Sequence, residues 1–387
     1  MYKILTLNNI SVAGLERFPR DCYEIGSEIS KPHGILLRSY KMHDMVLPDS
    51  VMCIGRAGAG VNNIPVEAMS ARGIPVFNAP GANANAVKEL VLAGMLLASR
   101  NICPAWAFSQ HLEGDDAAIS QAVEQGKKKF VGSELAGRTL GVIGLGAIGR
   151  LVANMALSLG MKVIGYDPGI TVQGAWQLSS EVTQAANVDD LVSKVDFLSF
   201  HVPLIDATRH MIDASRLEIM KDGAVILNFA RAGIVDDEAM IQALNAGKIK
   251  AYVCDFPNST LKKHANVIGL PHLGASTVEA EDNCAVMVAE QVRDYLENGN
   301  ITNSVNFPGV FMPRTKGYRL AVANRNVPNM VGQITTHLAH AGLNIIDMFN
   351  RSVGDIAYTL VDVDDQINAV MIEKIRQIDG VLNVRVV

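Results

Sequence analysis

Arg231 follows the apolar run AVILNFA and His272 follows NVIGLP. A guanidinium and an imidazole at two strand ends suit the oxidation of a 2-hydroxy acid. The first holds the carboxylate through paired hydrogen bonds, and the second takes the hydroxyl proton. Such chemistry needs an electron acceptor, and Gly144, Gly146 and Gly149 spell G-x-G-x-x-G in GVIGLGAIGR, after an apolar run and before a helical pattern. The first glycine permits the tight turn, the second lets the backbone approach a pyrophosphate, and the third lets helix meet strand. Asp167, at the end of KVIGY, stands where an acid accepts from ribose hydroxyls and repels a 2′-phosphate, and no arginine follows it in PGITVQG. NAD is therefore expected rather than NADP. Arg231 has a second reading, a surface ion pair with Asp236 or Asp237, and a lone histidine is more often structural than catalytic.

These residues need a scaffold that gathers strand ends. The runs LGVIGLG, KVIGYDP, VDFLSFHVP, GAVILNFA, IKAYVCDF and NVIGLPH alternate with helical stretches. Near-continuous apolar runs belong to parallel strands covered on both faces. A doubly wound Rossmann domain is expected over residues 95–275. Ahead of it, KPHGILLRS, SVMCIGRAG and IPVFNAP, with a helix around VEAMSARG, read as a smaller flavodoxin-like α/β domain over residues 1–94. The helix STVEAEDNCAVMVAEQVRDYLENG is expected to return to that domain. Residues 276–306 would then complete it, with the Rossmann domain inserted and a cleft between the two. Residues 307–316 read as a linker, and residues 317–387 as strand, helix, strand, strand, helix, strand, the βαββαβ order of a ferredoxin-like module.

The 387 residues carry a formal charge of −5 and no Lys/Arg stripe, which argues against a nucleic-acid surface. Lys127-Lys128-Lys129 reads as a solvated linker or as a local charge for an anionic ligand. The five cysteines are scattered without CxxC or Cys/His spacing, so neither a disulfide framework nor a metal site is indicated. MYKILTLNNI lacks the features of a signal peptide and no apolar stretch reaches membrane-spanning length, so a cytoplasmic protein without membrane partners is expected.

NFARAGIVDDEAM, PHLGAST, GLGAIG with YDP, and IGRAGAGVNNIPVEAMSARGIPVFNAPGANANAVKEL together resemble the D-2-hydroxy-acid dehydrogenase family over nearly all of residues 1–306. The C-terminal module resembles an ACT domain. The combination implies NAD-dependent oxidation of a phosphorylated 2-hydroxy acid, 3-phospho-D-glycerate, at the entry to L-serine biosynthesis, in a homodimer or homotetramer. Another D-2-hydroxy acid, such as glycerate or 2-hydroxyglutarate, is the alternative substrate, and a non-catalytic dinucleotide-sensing protein the alternative class.

The resemblance implies roles as well. Arg231 pairs with the carboxylate and His272 is the base. Ala147 and Ile148 contact the pyrophosphate, Asp167 the ribose and Asp255 the carboxamide, while Val202, Pro203, Thr208, Phe229, Ala230 and Gly274 complete the cofactor site. Ala59, Gly60 and Asn83 hold the carboxylate end, and Arg38, Ser39 and Arg56 the phosphate, unless Arg56 ties the two lobes together. Asn324, Asn326 and Asn344 bind an L-serine effector between paired modules, or are loop asparagines that favour turns. Two departures from the family pattern are plain. The glutamate usual behind the histidine is absent from FPNSTLKKHANVIGLP, where Ser259 stands in its place, and the glycine usual after the effector-loop proline is Asn329.

Overall fold

The computed structural model describes residues 1–387, which separate into two compact units, Met1–Asn83 with Val278–Val387, and Ala84–Thr277. In the first unit, strands β1 (Tyr2–Leu7), β2 (Tyr23–Gly26), β3 (Gly34–Leu37), β4 (Cys53–Arg56) and β5 (Val76–Phe77) form a sheet in the order β2-β1-β3-β4-β5. Every pairing in it is parallel. The helix Val278–Asn298 covers one face, with Ala285, Val288, Val292 and Leu296 in one core with Ile4, Leu36 and Cys53.

The second unit holds β6 (Thr139–Ile143), β7 (Lys162–Tyr166), β8 (Thr183–Gln184), β9 (Phe197–Phe200), β10 (Ala224–Asn228), β11 (Ile249–Cys254) and β12 (Val267–Gly269). The sheet runs β12-β11-β10-β9-β6-β7-β8 and is parallel throughout. All residues of β9 and β10 are buried, as strands sandwiched between helices must be. The chain reverses direction across the sheet between β6 and β9, the switch point where doubly wound sheets open a crevice at their carboxyl ends. The helix Ala84–Ser99 packs against β10 and β11, so this unit begins at Ala84, eleven residues before the start read from sequence.

The C-terminal module consists of β13 (Tyr318–Arg325), the helix Met330–His340, β14 (Ile345–Val353), β15 (Ile356–Val363), the helix Ala369–Arg376 and β16 (Val381–Val386). It has the βαββαβ order, and its antiparallel sheet runs β14-β15-β13-β16. One face packs on the module's two helices through Leu320, Val322, Val361, Ile334 and Met371. The other face is covered along β13 and β15: Ala321, Ala323, Tyr358 and Leu360 share the core of the helix Val278–Asn298. The expected linker is correspondingly not a free tether, because Phe307, Val310 and Met312 are buried in that same core.

Two arginines fasten the module. Arg319 is fully buried, its Nε and Nη2 each 2.7 Å from the Asp362 carboxylate, while its guanidinium also donates to the carbonyls of Asn298 (2.9 Å), Met312 (2.8 Å) and Pro313 (3.0 Å). Arg385 donates to the carbonyls of Tyr295 and Leu296 and lies 4.3 Å over the Tyr295 ring. No single helix of the chain is long and apolar enough to cross a membrane, and no group of three His, Cys, Asp or Glu is placed to hold a metal.

Candidate active site

At the end of β6 the chain turns through Gly144, whose φ of +88° favours glycine. A Cβ there would press on the His201 carbonyl and the Val202 side chain, and a Cβ at Gly149 would overlap the Gly144 carbonyl oxygen. At Gly146 a Cβ would meet nothing within 4 Å, so this side of the loop faces open space. Gly146 caps the helix Ala147–Ser158 without any side chain bonding its first turn, which leaves first-turn N–H groups for an anion. That cradle fits a pyrophosphate. Asp167 is tied to it, its carboxylate accepting from the N–H of Leu145 at 2.8 Å and of Gly169 at 2.9 Å.

β9 brings His201 and Val202 against this loop. The His201 N–H donates to the Ile143 carbonyl at 2.8 Å, its ring shares a 3.0 Å hydrogen bond with Ser199, and burial pushes its pKa down to about 3, so the ring is neutral. Sequence reading passed over His201, although it directly precedes Val202 and Pro203. Thr208 is buried, its hydroxyl donating to the Pro203 carbonyl at 2.6 Å and accepting from the Ile205 N–H at 2.9 Å, and so braces the loop after β9. The Phe229 ring faces Gly94 of the helix Ala84–Ser99, leaving its backbone as what it can offer a ligand.

Arg231 ends the segment after β10 and is exposed. Its Nη1 donates to the carbonyl of Ala230 at 2.7 Å, and it forms no ion pair. The candidate partners are occupied: Asp236 caps the helix Asp237–Asn245, and Asp237 accepts from Asn258 at 2.6 Å. The loop is set by Asn228, wholly buried, which donates to the Arg231 carbonyl at 2.9 Å and accepts from the Ala230 N–H at 3.2 Å. Asn228 is a support that sequence reading missed, since a polar residue closing a strand has no distinctive pattern.

His272 has a φ of +56°, a conformation uncommon for a side-chain-bearing residue and one that clusters at functional sites. It is held there by its own N–H, bonded to the carbonyls of Asp255 (3.1 Å) and Leu270 (3.0 Å). The buried Asp255 carboxylate closes the clamp by accepting from the N–H of Leu273 at 3.0 Å and of Gly274 at 2.7 Å. Asp255 thus holds the histidine loop by its backbone. The imidazole itself has no carboxylate hydrogen bond, and its ring neighbour is Phe256, centroid to centroid 4.9 Å.

In the first unit, Arg38 and Arg56 stand at the ends of the adjacent parallel strands β3 and β4, and Arg56 Nε donates to the Arg38 carbonyl at 3.1 Å. Arg38 pairs with Glu281 at 2.7 Å, a partner not anticipated from sequence. The N–H of Ser39 is bonded to Asn8 at 3.2 Å. Ala59 receives a 2.5 Å bond from Asn78, Gly60 follows it, and the side-chain oxygen of Asn83 is buried without a partner. In the C-terminal module, Asn324 and Asn326 line one cavity of about 140 Å³ together with Asn329 and Asn350. Asn344 does not join them. It precedes Ile345, which pairs with Val363 at the Tyr318 end of the sheet, whereas Asn324 lies toward the opposite end of β13. A single chain therefore does not assemble the expected asparagine trio.

Residues 92–274 match the family model of the D-isomer specific 2-hydroxyacid dehydrogenase NAD binding domain. The D-3-phosphoglycerate dehydrogenase of Haemophilus influenzae is 34% identical over 379 residues, covering 94% of this chain and 88% of that protein. The chain belongs to the D-isomer specific 2-hydroxyacid dehydrogenase family. A further relative, the D-3-phosphoglycerate dehydrogenase of Methanocaldococcus jannaschii, is 38% identical over 324 residues, covering 81% of this chain but only 58% of that protein. Among solved structures, the NAD⁺-bound 3-phosphoglycerate dehydrogenase of Entamoeba histolytica matches with a TM-score of 0.60 at 25% identity, covering 79% of this chain and 98% of that chain.

Proposed function

We propose that this dehydrogenase oxidises 3-phospho-D-glycerate to 3-phosphohydroxypyruvate with NAD, the first committed step of L-serine biosynthesis. The observation that carries the reading is the pair at the strand ends of the dinucleotide sheet. One member is an arginine with no carboxylate partner, Arg231, and the other is a histidine, His272, locked at positive φ by the Asp255 clamp. NAD would supply the hydride acceptor for the hydroxyl-bearing carbon. The first-turn N–H groups at Ala147 and Ile148 would hold its phosphates, and Asp167 would accept from its ribose. Arg231 grips the substrate carboxylate, and the His272 imidazole takes the hydroxyl proton and returns it in the reverse direction.

Arg38 and Arg56 receive the phosphate, with Ser39 beside them, because a dianion entering a net-acidic protein needs local cations. The named activity of the Haemophilus relative, aligned over most of both chains, supports a phosphorylated substrate. Arg38→Ala and Arg56→Ala should each raise KM for 3-phospho-D-glycerate by about tenfold or more, the worth of a charge-assisted hydrogen bond, and leave KM for D-glycerate within about twofold. Equal losses on both acids would sink the phosphate assignment.

The asparagine cavity is read as the L-serine site, supported by Asn324, whose buried side-chain oxygen lacks a partner. Asn344 would take part only from a second copy, which fits a homodimer or homotetramer. All five cysteines are free, in keeping with a reducing cytoplasmic setting.

A further inference from the structure

We propose that Phe256 is the positioning residue for His272, orienting the imidazole by ring packing in a chain that has no carboxylate to do so by hydrogen bonding. The inference rests on the reading of His272 as the proton acceptor. The two ring centroids lie 4.9 Å apart at an interplanar angle of 61°, an edge-to-face contact of the kind that aromatic pairs prefer. From Phe256 to Pro271 the sequence offers no acidic side chain, so no carboxylate of this segment can reach the imidazole.

What distinguishes Phe256 from an ordinary neighbour is how firmly its own backbone is held on both sides. Before it, Asp255 is anchored by its N–H to the Asn228 carbonyl at 3.1 Å and by its carboxylate to Leu273 and Gly274. After it, Pro257 lies against Gly269 of β12, where a Cβ would come within 2.9 Å of the proline ring. Asn258 then donates to Asp237 at 2.6 Å, and its oxygen accepts from the N–H of Thr260 and Leu261 at 3.0 and 2.9 Å. The Phe256 ring thus stands on a backbone held on both sides and forms a wall beside the imidazole. The backbone of His272 is fixed by Asp255, and the wall limits the remaining freedom, rotation of the imidazole about its side-chain torsions. A base that must meet a hydroxyl proton within hydrogen-bond reach gains rate from that restriction, since misplacement by about 1 Å can cost about a hundredfold.

The test uses the full-length protein with saturating NAD and 3-phospho-D-glycerate. Phe256→Leu, which removes the ring but keeps an apolar side chain, should lower kcat by about tenfold or more while KM and the NAD dissociation constant stay within about twofold. Phe256→Tyr, which keeps the ring, should restore most of the rate. In a His272→Ala background, Phe256→Leu should leave the residual rate nearly unchanged, because the ring acts only through the imidazole. A full rate in Phe256→Leu would overturn the proposal, and so would losses that multiply independently in the double variant. If Phe256→Leu does not fold, Phe256→Met carries the same comparison. Undiminished turnover in His272→Ala would remove the proton-acceptor reading and this inference with it, whereas loss in His272→Ala beside full activity in Phe256→Leu removes the inference alone.

Discussion

Asp167 binds the backbone of the glycine loop through Leu145 as well as Gly169, so its loss touches both cofactor choice and the cradle itself. Asp167→Ala should lower kcat/KM for NAD by about tenfold to a hundredfold, the worth of hydrogen bonds to a charged group, and lower it less for NADP, whose 2′-phosphate no longer meets an anion. An unchanged NAD/NADP ratio would remove Asp167 from the selectivity. His201 gives a pH signature. Its folded pKa of about 3 lies below the unfolded value near 6.5, so the unfolded chain takes up a proton as pH falls through that window and the folded chain does not. Stability should fall between about pH 6.5 and pH 3, by at most about 1.4 kcal/mol per pH unit from this group, and His201→Gln should flatten that part of the urea-unfolding profile. An equal slope in the variant would mean that other groups carry it. At this scale, the strand-end placement of Arg231 and His272 could be read from sequence because each follows an apolar run that forms a strand of the parallel sheet. Asn228, Phe256 and Glu281 could not, because an asparagine, a phenylalanine and a helix acid are ordinary in those places until the contacts are known.

The strand–loop–helix around Gly144 was legible as a unit because backbone geometry dictates it: the turn needs positive φ and the helix must meet the Gly144 carbonyl. Gly149→Ala should accordingly displace the loop and weaken NAD binding by about tenfold or more, measurable by NADH fluorescence, with the sheet intact. The C-terminal sheet was legible in order but not in how it packs. Its signal was present, for β13 and β15 are near-continuous apolar runs with both faces buried, whereas an antiparallel sheet with one solvated face alternates. Nothing in that pattern says which surface covers the second face. Arg319 is the element's main polar fastening. Arg319→Met strands the buried Asp362 carboxylate and should cost about 3–5 kcal/mol in urea unfolding, and adding Asp362→Leu should recover part of it. A loss below about 1 kcal/mol in the single variant would show that apolar packing alone holds the module.

Over the whole molecule, the glycine fingerprint sits far into the chain because the unit that carries it, Ala84–Thr277, lies between two segments that fold together. The return of residues after 277 to the first sheet is an apolar-surface effect: the helix Val278–Asn298 buries Val288 and Val292 in the core that holds Leu36 and Cys53. The unit Ala84–Thr277 starts before the residue 95 read from sequence because the apolar helix Ala84–Ser99 has no composition break at its beginning. The chain belongs to the D-isomer specific 2-hydroxyacid dehydrogenase family, and under the proposed function the choice among acids would fall to Arg38 and Arg56 at the ends of β3 and β4. The most direct measurement is NADH formation by the purified protein with 3-phospho-D-glycerate, D-glycerate and D-2-hydroxyglutarate, each over a range of concentrations. The phosphorylated acid should show a kcat/KM at least about a hundredfold above the other two, as expected where charged groups are built for a phosphate. Equal or faster turnover of an unphosphorylated acid would contradict the assignment.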